Sequence, residues 1–171
     1  MDKNLPKRKH LRWRGFDYSR SGAYFVTVCT HQRKNTLSHI VGAIHESPAP
    51  VLTEYGKIVD AFINNVQNRF GASVDQYVIM PNHIHLIIIV TDDSETNIEN
   101  SPLRGRSLLS KIMGYIKANT AKEIHKKYGA SAVWQRGFYD HVIRSQDDYR
   151  EIEKYIRENP LCWQMGRTED W

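Results

Sequence analysis

The sequence is poor in cysteine: Cys29 and Cys162 are its only two, and they form no Cys-x-x-Cys pair and no Cys/His cluster. This excludes a disulfide framework and a zinc ribbon. Long apolar runs are also missing, since the longest uninterrupted one, Leu86–Val90, is far shorter than the roughly 20 residues that cross a bilayer. The N-terminal stretch lacks the apolar segment of a signal peptide. We therefore expect a cytoplasmic protein that does not associate with membranes.

The composition that is present is typical of one globular domain. The chain has 171 residues, of which 40% are hydrophobic and 25% are charged. A chain of this size can bury a single core without disulfides or structural metals. We expect a basic N-terminal arm over residues 1–22 and one folded domain over residues 23–171.

Positive charge is concentrated in the arm. Residues 1–20 contain seven Lys or Arg and two Asp, and this difference of +5 accounts for the whole net charge of +5. Trp13, Phe16 and Tyr18 are interleaved with the cations, a mixture that suits phosphates and stacked bases. We expect the arm to contact nucleic acid, and a solubilising arm is the alternative. The predicted DNA-binding residues are Lys7, Arg8, Lys9, Arg12 and Arg14.

Hydrophobic periodicity predicts an alternation of strands and helices. Ala23–Thr30 is a predicted strand and Gly42–Val51, with two prolines, a predicted loop. Thr53 is the predicted cap of a helix that ends at Gly71. Two extended runs follow at Val74–Met80 and Ile84–Val90, which either pair or form one broken strand. The later elements are a loop at Thr91–Arg106, a helix at Ser107–Tyr128 and an extended element within Ala132–Arg144. A last helix begins at Ser145, and Pro160 is predicted to stop it. This order predicts an α+β fold with helices packed on an antiparallel sheet.

Two histidines in the middle of the chain form the first chemical signal. His83 and His85 are two residues apart in a predicted strand, so their side chains point to the same face while Ile84 points to the other. Two imidazoles on one face suit a metal ion. The spacing alone is also compatible with packed or surface histidines.

The last helix provides the second signal. Ile152 and Ile156 define its buried face, Tyr155 lies at the margin of that face, and Asn159 follows one turn later. A phenol and an amide are therefore presented together. In isolation, the same pattern also fits a packed tyrosine and a helix-capping asparagine.

Three motifs in this order, PNHIHLI, WQRGFYDHVIR and YIRENP, resemble the REP-associated tyrosine transposases, a group within the single-tyrosine HUH transposases and relaxases. The resemblance extends from about Arg12 to Pro160. It implies a ferredoxin-like or RRM-like sheet, with Tyr155 as the nucleophile and His83, His85 and Asn159 as metal ligands. It also implies cleavage and rejoining of single-stranded DNA through a 5′-phosphotyrosine, as in DNA transposition and recombination.

The resemblance further implies a cofactor and a partner. The expected cofactor is Mg²⁺ or Mn²⁺, although by ligand softness two imidazoles would also accept Zn²⁺, Co²⁺ or Ni²⁺. The expected partner is single-stranded DNA, in particular a palindromic hairpin with a short flanking recognition sequence, bound by a monomer or a homodimer. Two alternatives stay open: a noncatalytic single-stranded nucleic-acid-binding module, and a metal-dependent hydrolase in which Tyr155 is structural. His141 and Arg144 suit phosphate contact or support of the metal site as well as they suit packing.

Overall fold

A computed structural model describes residues 21–42, 48–92, 94 and 107–167. These residues form two sheets and four α-helices. In chain order the strands are β1 (Gly22–Cys29), β2 (Ser38–Val41), β3 (Ala49–Leu52), β4 (Ser73–Ile79), β5 (His83–Val90) and β6 (Tyr139–Ile143), and the helices are α1 (Glu54–Asn64), α2 (Val66–Phe70), α3 (Leu108–Tyr128) and α4 (Gln146–Gln164).

The main sheet has four strands in the order β4-β5-β1-β6, and every neighbouring pair is antiparallel. The two extended runs on either side of Pro81-Asn82 therefore pair with each other. The predicted α+β class is confirmed, and the strand order is that of a ferredoxin-like sheet with the first strand in the interior. β4 and β6 are the two edge strands.

The main sheet is covered on both faces because its strands alternate their side chains. Val26 and Leu86 face a large core that includes Ile112 of α3. Phe25 and Ile87 face the opposite way, into a smaller core that is completed by residues of α4. The two central strands therefore have no face left to water, as fits their nearly continuous apolar sequences.

Side-chain caps begin three of the helices. The Thr53 hydroxyl accepts a hydrogen bond from Gly56 N, as its predicted capping role requires, and Ser107 and Ser145 cap α3 and α4 in the same way. Gly71 ends α2 in the left-handed conformation with φ 66°. The single predicted helix after Thr53 is divided into α1 and α2 at Asn65.

One predicted loop contains a strand. The sequence predicts an irregular Gly42–Val51, yet Ala49–Leu52 pairs with Ser38–Val41 in a separate two-stranded sheet. Pro50 is tolerated because the sheet has only two strands, each with one free edge where a missing N–H costs no ladder bond. The hairpin is joined to the main sheet by Ser38 Oγ, which donates to Ile79 O at 2.8 Å.

The prediction that Pro160 stops the last helix is wrong. α4 continues to Gln164 with Pro160 inside it. A proline costs an interior helix at least one backbone hydrogen bond, but here the additional turn is packed: Pro160 is buried and the Trp163 ring lies 6.1 Å from that of His83.

Candidate active site between strand β5 and helix α4

His83 and His85 lie side by side on the face of β5 that α4 covers. Their ring centroids are 4.5 Å apart. Ile84, between them, is fully buried on the other face of the sheet. Alternation along one strand is therefore sufficient to bring the two imidazoles together.

The Nδ1 atom of each ring has its own polar partner. Asn82 Oδ1 lies 2.7 Å from Nδ1 of His83, and Thr27 Oγ1, on the paired strand β1, lies 2.8 Å from Nδ1 of His85. These contacts orient the rings so that both Nε2 atoms face α4. Contacts of this kind to the second ring nitrogen are typical of metal-binding histidines. The sequence analysis missed both partners: Asn82 could have been inferred from its place directly before His83, whereas nothing in the local sequence marks Thr27.

Asn159 reaches the histidine pair from α4. Its Oδ1 lies 3.3 Å from Nε2 of His83, although the two residues are 76 positions apart in the chain. When the neutral His83 ring donates from Nδ1 to Asn82, its Nε2 carries a lone pair, so two electron-pair donors point at the same space. A cation between them would satisfy both atoms.

The separation of these two atoms suits ligands of one ion. Two ligands about 2.1 Å from an ion are about 3.0 Å apart in an octahedron and about 3.4 Å apart in a tetrahedron. The 3.3 Å between His83 Nε2 and Asn159 Oδ1 falls within that range. Across the described part of the chain, no three His, Cys, Asp or Glu side chains cluster as a metal site. The side chains that could hold an ion at this place are the imidazoles of His83 and His85 and the amide of Asn159.

Tyr155 presents its phenol to the same place. Its Oη lies 3.3 Å from Nε2 of His85. The Tyr155 ring packs edge-on against Phe25, which in turn stacks on His85 at 5.3 Å between centroids. Asn159 lies one helical turn beyond Tyr155, so α4 delivers the phenol to one histidine and the amide to the other.

Burial controls the charge of His85. Its side chain is only 3% exposed. Desolvation, with a smaller contribution from the neighbouring His83, holds the pKa of His85 well below its ordinary value. The ring is therefore neutral at neutral pH, which is the state that binds a metal ion or accepts a hydrogen bond from Tyr155.

Tyr115, Tyr128 and Tyr149 compete with Tyr155 by residue type, and each makes its contact elsewhere. The Tyr128 ring lies 5.1 Å from that of Tyr55. The Tyr115 hydroxyl accepts from Asn65 Nδ2 at 2.8 Å. The Tyr149 hydroxyl donates to Asp75. Burial and this carboxylate raise the pKa of Tyr149 to about 12, which makes it a poor nucleophile. Of these four tyrosines, Tyr155 is the one whose hydroxyl lies against the histidine pair.

His141 has a partner of its own. Its Nε2 is 3.0 Å from Asp148 Oδ2, so this imidazole interacts with α4. The predicted DNA-binding residues of the arm lie outside the described residues; they are Lys7, Arg8, Lys9, Arg12 and Arg14.

Together, the sheet order and this constellation define a class: a ferredoxin-like α+β protein with a His-x-His pair on an interior strand and a tyrosine on the helix that covers it. None of the helices described has the length and apolar character needed to cross a lipid bilayer.

Comparisons with known proteins are consistent with this class. The chain is 29% identical to an uncharacterized protein of Haemophilus influenzae, over 94% of this chain and 92% of that protein. It is 24% identical to the REP-associated tyrosine transposase of Escherichia coli, over 90% of this chain and 76% of that protein. A solved structure of a REP-associated tyrosine transposase bound to a REP hairpin superposes with a TM-score of 0.62 at 22% identity, covering 92% of this chain and 75% of that one. No protein-family model matches the chain.

The chain is thus homologous to REP-associated tyrosine transposases, and the resemblance carried by its three motifs is confirmed. The solved relative supports the fold.

Proposed function

We propose that this protein cuts and rejoins single-stranded DNA as a transposase, with Tyr155 as the nucleophile. The observation that carries the proposal is the 3.3 Å contact between Tyr155 Oη and His85 Nε2, directly beside the His83–Asn159 pair. Binding alone does not require a nucleophilic phenol next to two imidazoles and an amide oxygen. Homology to proteins named as transposases supports the same activity.

His83, His85 and Asn159 are the residues that would hold a divalent ion, Mg²⁺ or Mn²⁺, with Zn²⁺ also compatible with two imidazoles. When bound, the ion would withdraw charge from a non-bridging oxygen of the phosphate. The protein contributes a neutral His85, kept so by burial, and rings held in place through their Nδ1 atoms.

Tyr155 carries out the covalent step. Its phenol gives up a proton to solvent water, and Oη forms a bond to phosphorus as the bond from phosphorus to the 3′ oxygen breaks. The leaving 3′ oxygen takes up a proton, and the DNA 5′ phosphate remains on the tyrosine. Reversal by a 3′-hydroxyl restores a phosphodiester and frees Tyr155. A phenolate is a stable oxyanion, so the link that forms can also be reopened.

The proposed substrate is a DNA hairpin with a short flanking single strand. A relative of the same fold has been solved bound to a REP hairpin. Tyr155, His83, His85 and Asn159 all come from one chain, so the proposed site does not need a second subunit. We expect a monomer or a homodimer to act on such a hairpin.

The test is formation of a covalent protein–DNA adduct. End-labelled hairpin oligonucleotides with flanking single strands are incubated with the protein and Mn²⁺ or Mg²⁺, then separated on a denaturing gel. We expect an adduct that peptide mapping locates at Tyr155, and none with Tyr155→Phe, which still binds the hairpin. Tyr115→Phe is the matched control because that hydroxyl bonds Asn65 away from the site, and it should cut normally.

The other outcomes separate the alternatives. Cleavage without an adduct would indicate a hydrolase that activates water. Binding without cleavage would indicate a noncatalytic single-stranded nucleic-acid-binding module. Full cutting by Tyr155→Phe would contradict the assignment of the nucleophile.

A further inference from the structure

The N-terminal end of α4 is held by two polar pairs from neighbouring positions. Asp148 accepts from His141 of β6, whose Nε2 lies 3.1 and 3.0 Å from the two carboxylate oxygens. Tyr149, the next residue, donates its hydroxyl to Asp75 of β4. We refer to His141–Asp148 and Tyr149–Asp75 as the α4 anchors.

The anchors reach opposite edges of the main sheet. β4 and β6 are its edge strands, with β5 and β1 between them. At about 4.8 Å per strand the two edges are about 14 Å apart. Adjacent residues of a helix point about 100° apart, which lets one side chain reach each edge. The helix is therefore restrained against rolling in either direction.

A local irregularity of β4 contributes to this arrangement. The pairing of β4 with β5 shifts between Val74 and Gln76, so Asp75 is the additional residue of a β-bulge. A bulge redirects a side chain out of the regular alternation. Here the redirected carboxylate is the one that receives the Tyr149 hydroxyl.

One of the two anchor residues of α4, Asp148, lies on the same side of the helix as the proposed nucleophile. Asp148, Ile152, Tyr155 and Asn159 recur every three or four residues, so they form one stripe along the helix. Tyr155 is seven residues, or about 10 Å, beyond Asp148. A rotation of the helix by about 10° moves a side-chain end about 6 Å from the axis by about 1 Å. A displacement of that size can slow a reaction by about 100-fold.

We propose that His141 and Asp75, acting through Asp148 and Tyr149, are positioning residues that set the rotation of α4 and so hold Tyr155 against the His83–His85 pair. This inference rests on the proposed function, because it concerns the placement of the nucleophile in that reaction. Each anchor joins α4 to an edge strand of the sheet.

Helix capping is the other role that Asp148 fills. Its carboxylate also accepts from Arg144 N at 3.1 Å, and its own N–H donates to Ser145 Oγ at 3.1 Å. Substitution of Asp148 would therefore combine two effects. His141→Ala and Tyr149→Phe leave these capping contacts intact and are the informative variants.

The experiment compares single-turnover cleavage with hairpin binding in the full chain with Mn²⁺. We expect His141→Ala and Tyr149→Phe each to lower the cleavage rate at saturating DNA by about 10-fold, and the double variant by about 100-fold. The DNA concentration for half-saturation should stay within about two-fold of wild type, since no binding group is removed. His141→Gln, whose amide can donate to Asp148, should recover most of the rate.

Two variants separate positioning from general stability. Tyr77→Phe removes the same kind of bond, a phenol donating to Asp60 at 2.7 Å, but between β4 and α1, and it should cut at the wild-type rate. Asp75→Asn keeps an acceptor for Tyr149 and should also cut nearly normally. Thermal unfolding of each variant confirms that the fold is retained.

If Tyr155→Phe is inactive, wild-type cleavage rates in His141→Ala and Tyr149→Phe would overturn this inference and leave the proposed function unaffected. An equal reduction of the rate in Tyr77→Phe, or no recovery in His141→Gln, would also overturn it. An active Tyr155→Phe variant would overturn the proposed function and this inference with it.

Discussion

Thr27 Oγ1 lies 2.8 Å from Nδ1 of His85, where β1 and β5 place the two residues opposite each other. This contact orients the imidazole so that Nε2 faces Tyr155. We predict that Thr27→Val, which keeps the side-chain volume and removes the hydroxyl, raises the Mn²⁺ concentration needed for half-maximal cleavage by about 10- to 100-fold. Thr27→Ser, which keeps the hydroxyl, should resemble wild type. The same Mn²⁺ requirement in Thr27→Val and Thr27→Ser would contradict this role.

The two histidines should be individually necessary for cleavage. His83→Ala and His85→Ala each leave one imidazole and one amide, too few ligands to hold an ion, so each should abolish cleavage that depends on divalent metal. EDTA should stop the wild-type reaction, and added Mn²⁺ should restore it. His125 is exposed in the last turn of α3, so His125→Ala is the control and should cut normally. Undiminished wild-type cleavage in excess EDTA would exclude the metal role.

Stability should depend on pH through His85. Burial lowers the pKa of His85 below its ordinary 6.5, so the unfolded chain binds this proton more readily than the folded chain. The stability linked to His85 is complete above pH 6.5 and is lost as the pH falls towards the folded pKa. Urea unfolding in EDTA at pH 7, 6 and 5 should show this loss, up to about 1.4 kcal/mol per pH unit for one proton. The pH dependence should be weaker in His85→Leu than in wild type. Equal pH dependence in wild type and His85→Leu would contradict the assignment.

Two helical glycines should respond in opposite directions to alanine. A Cβ on Gly56 of α1 would clash with Leu37 O, so Gly56→Ala should force α1 away and lower the free energy of unfolding by roughly 1–3 kcal/mol. A Cβ on Gly114 of α3 meets nothing within 4 Å, so Gly114→Ala should raise the free energy of unfolding by roughly 0.5–1 kcal/mol. Urea denaturation measures both. A neutral Gly56→Ala would show that α1 is not packed this closely.

The basic arm should act on binding and not on chemistry. Deletion of residues 1–14 removes Lys7, Arg8, Lys9, Arg12 and Arg14, so hairpin affinity should fall at physiological salt. The dependence of affinity on salt should flatten by a slope of roughly 0.7 to 0.9 for each phosphate that the shortened protein no longer neutralises. Cleavage at saturating DNA, with its adduct at Tyr155, should persist. An unchanged affinity and salt slope would show that the arm only aids solubility.

Local pattern predicted those parts of the site that lie within one element. Alternation in β5 places His83 and His85 together, and one helical turn places Asn159 beside Tyr155. The contacts between elements could not be read this way, because they depend on register and helix placement. Thr27 meets His85 only through the pairing of β1 with β5, and Asp75 meets Tyr149 only through a bulge.

The errors in the predicted fold have related causes. The sequence places Ala49–Leu52 largely in a loop because Gly42 and the prolines outweigh a short apolar pattern, whereas a hairpin packed against the domain accepts Pro50 on a strand with a free edge. Pro160 is predicted to end α4 because intrinsic propensity takes no account of the packing of Trp163 near His83. In both cases tertiary contacts outweigh local preference.

Because side chains alternate between the two faces of β5, the site is sensitive to the register of that strand. Deleting one residue between Met80 and His83, with β5 shifted by one position against β1 and β4, would move every later side chain of the strand to the opposite face. His83 and His85 would then enter the apolar layer with α3, and Ile84 and Leu86 would replace them beneath Tyr155. Point substitutions at Ile84 would change only the packing around that side chain, whereas a one-residue deletion would exchange the side chains of the two faces along the whole strand. We therefore expect evolution in this strand to proceed by replacement of residues and not by change of its length.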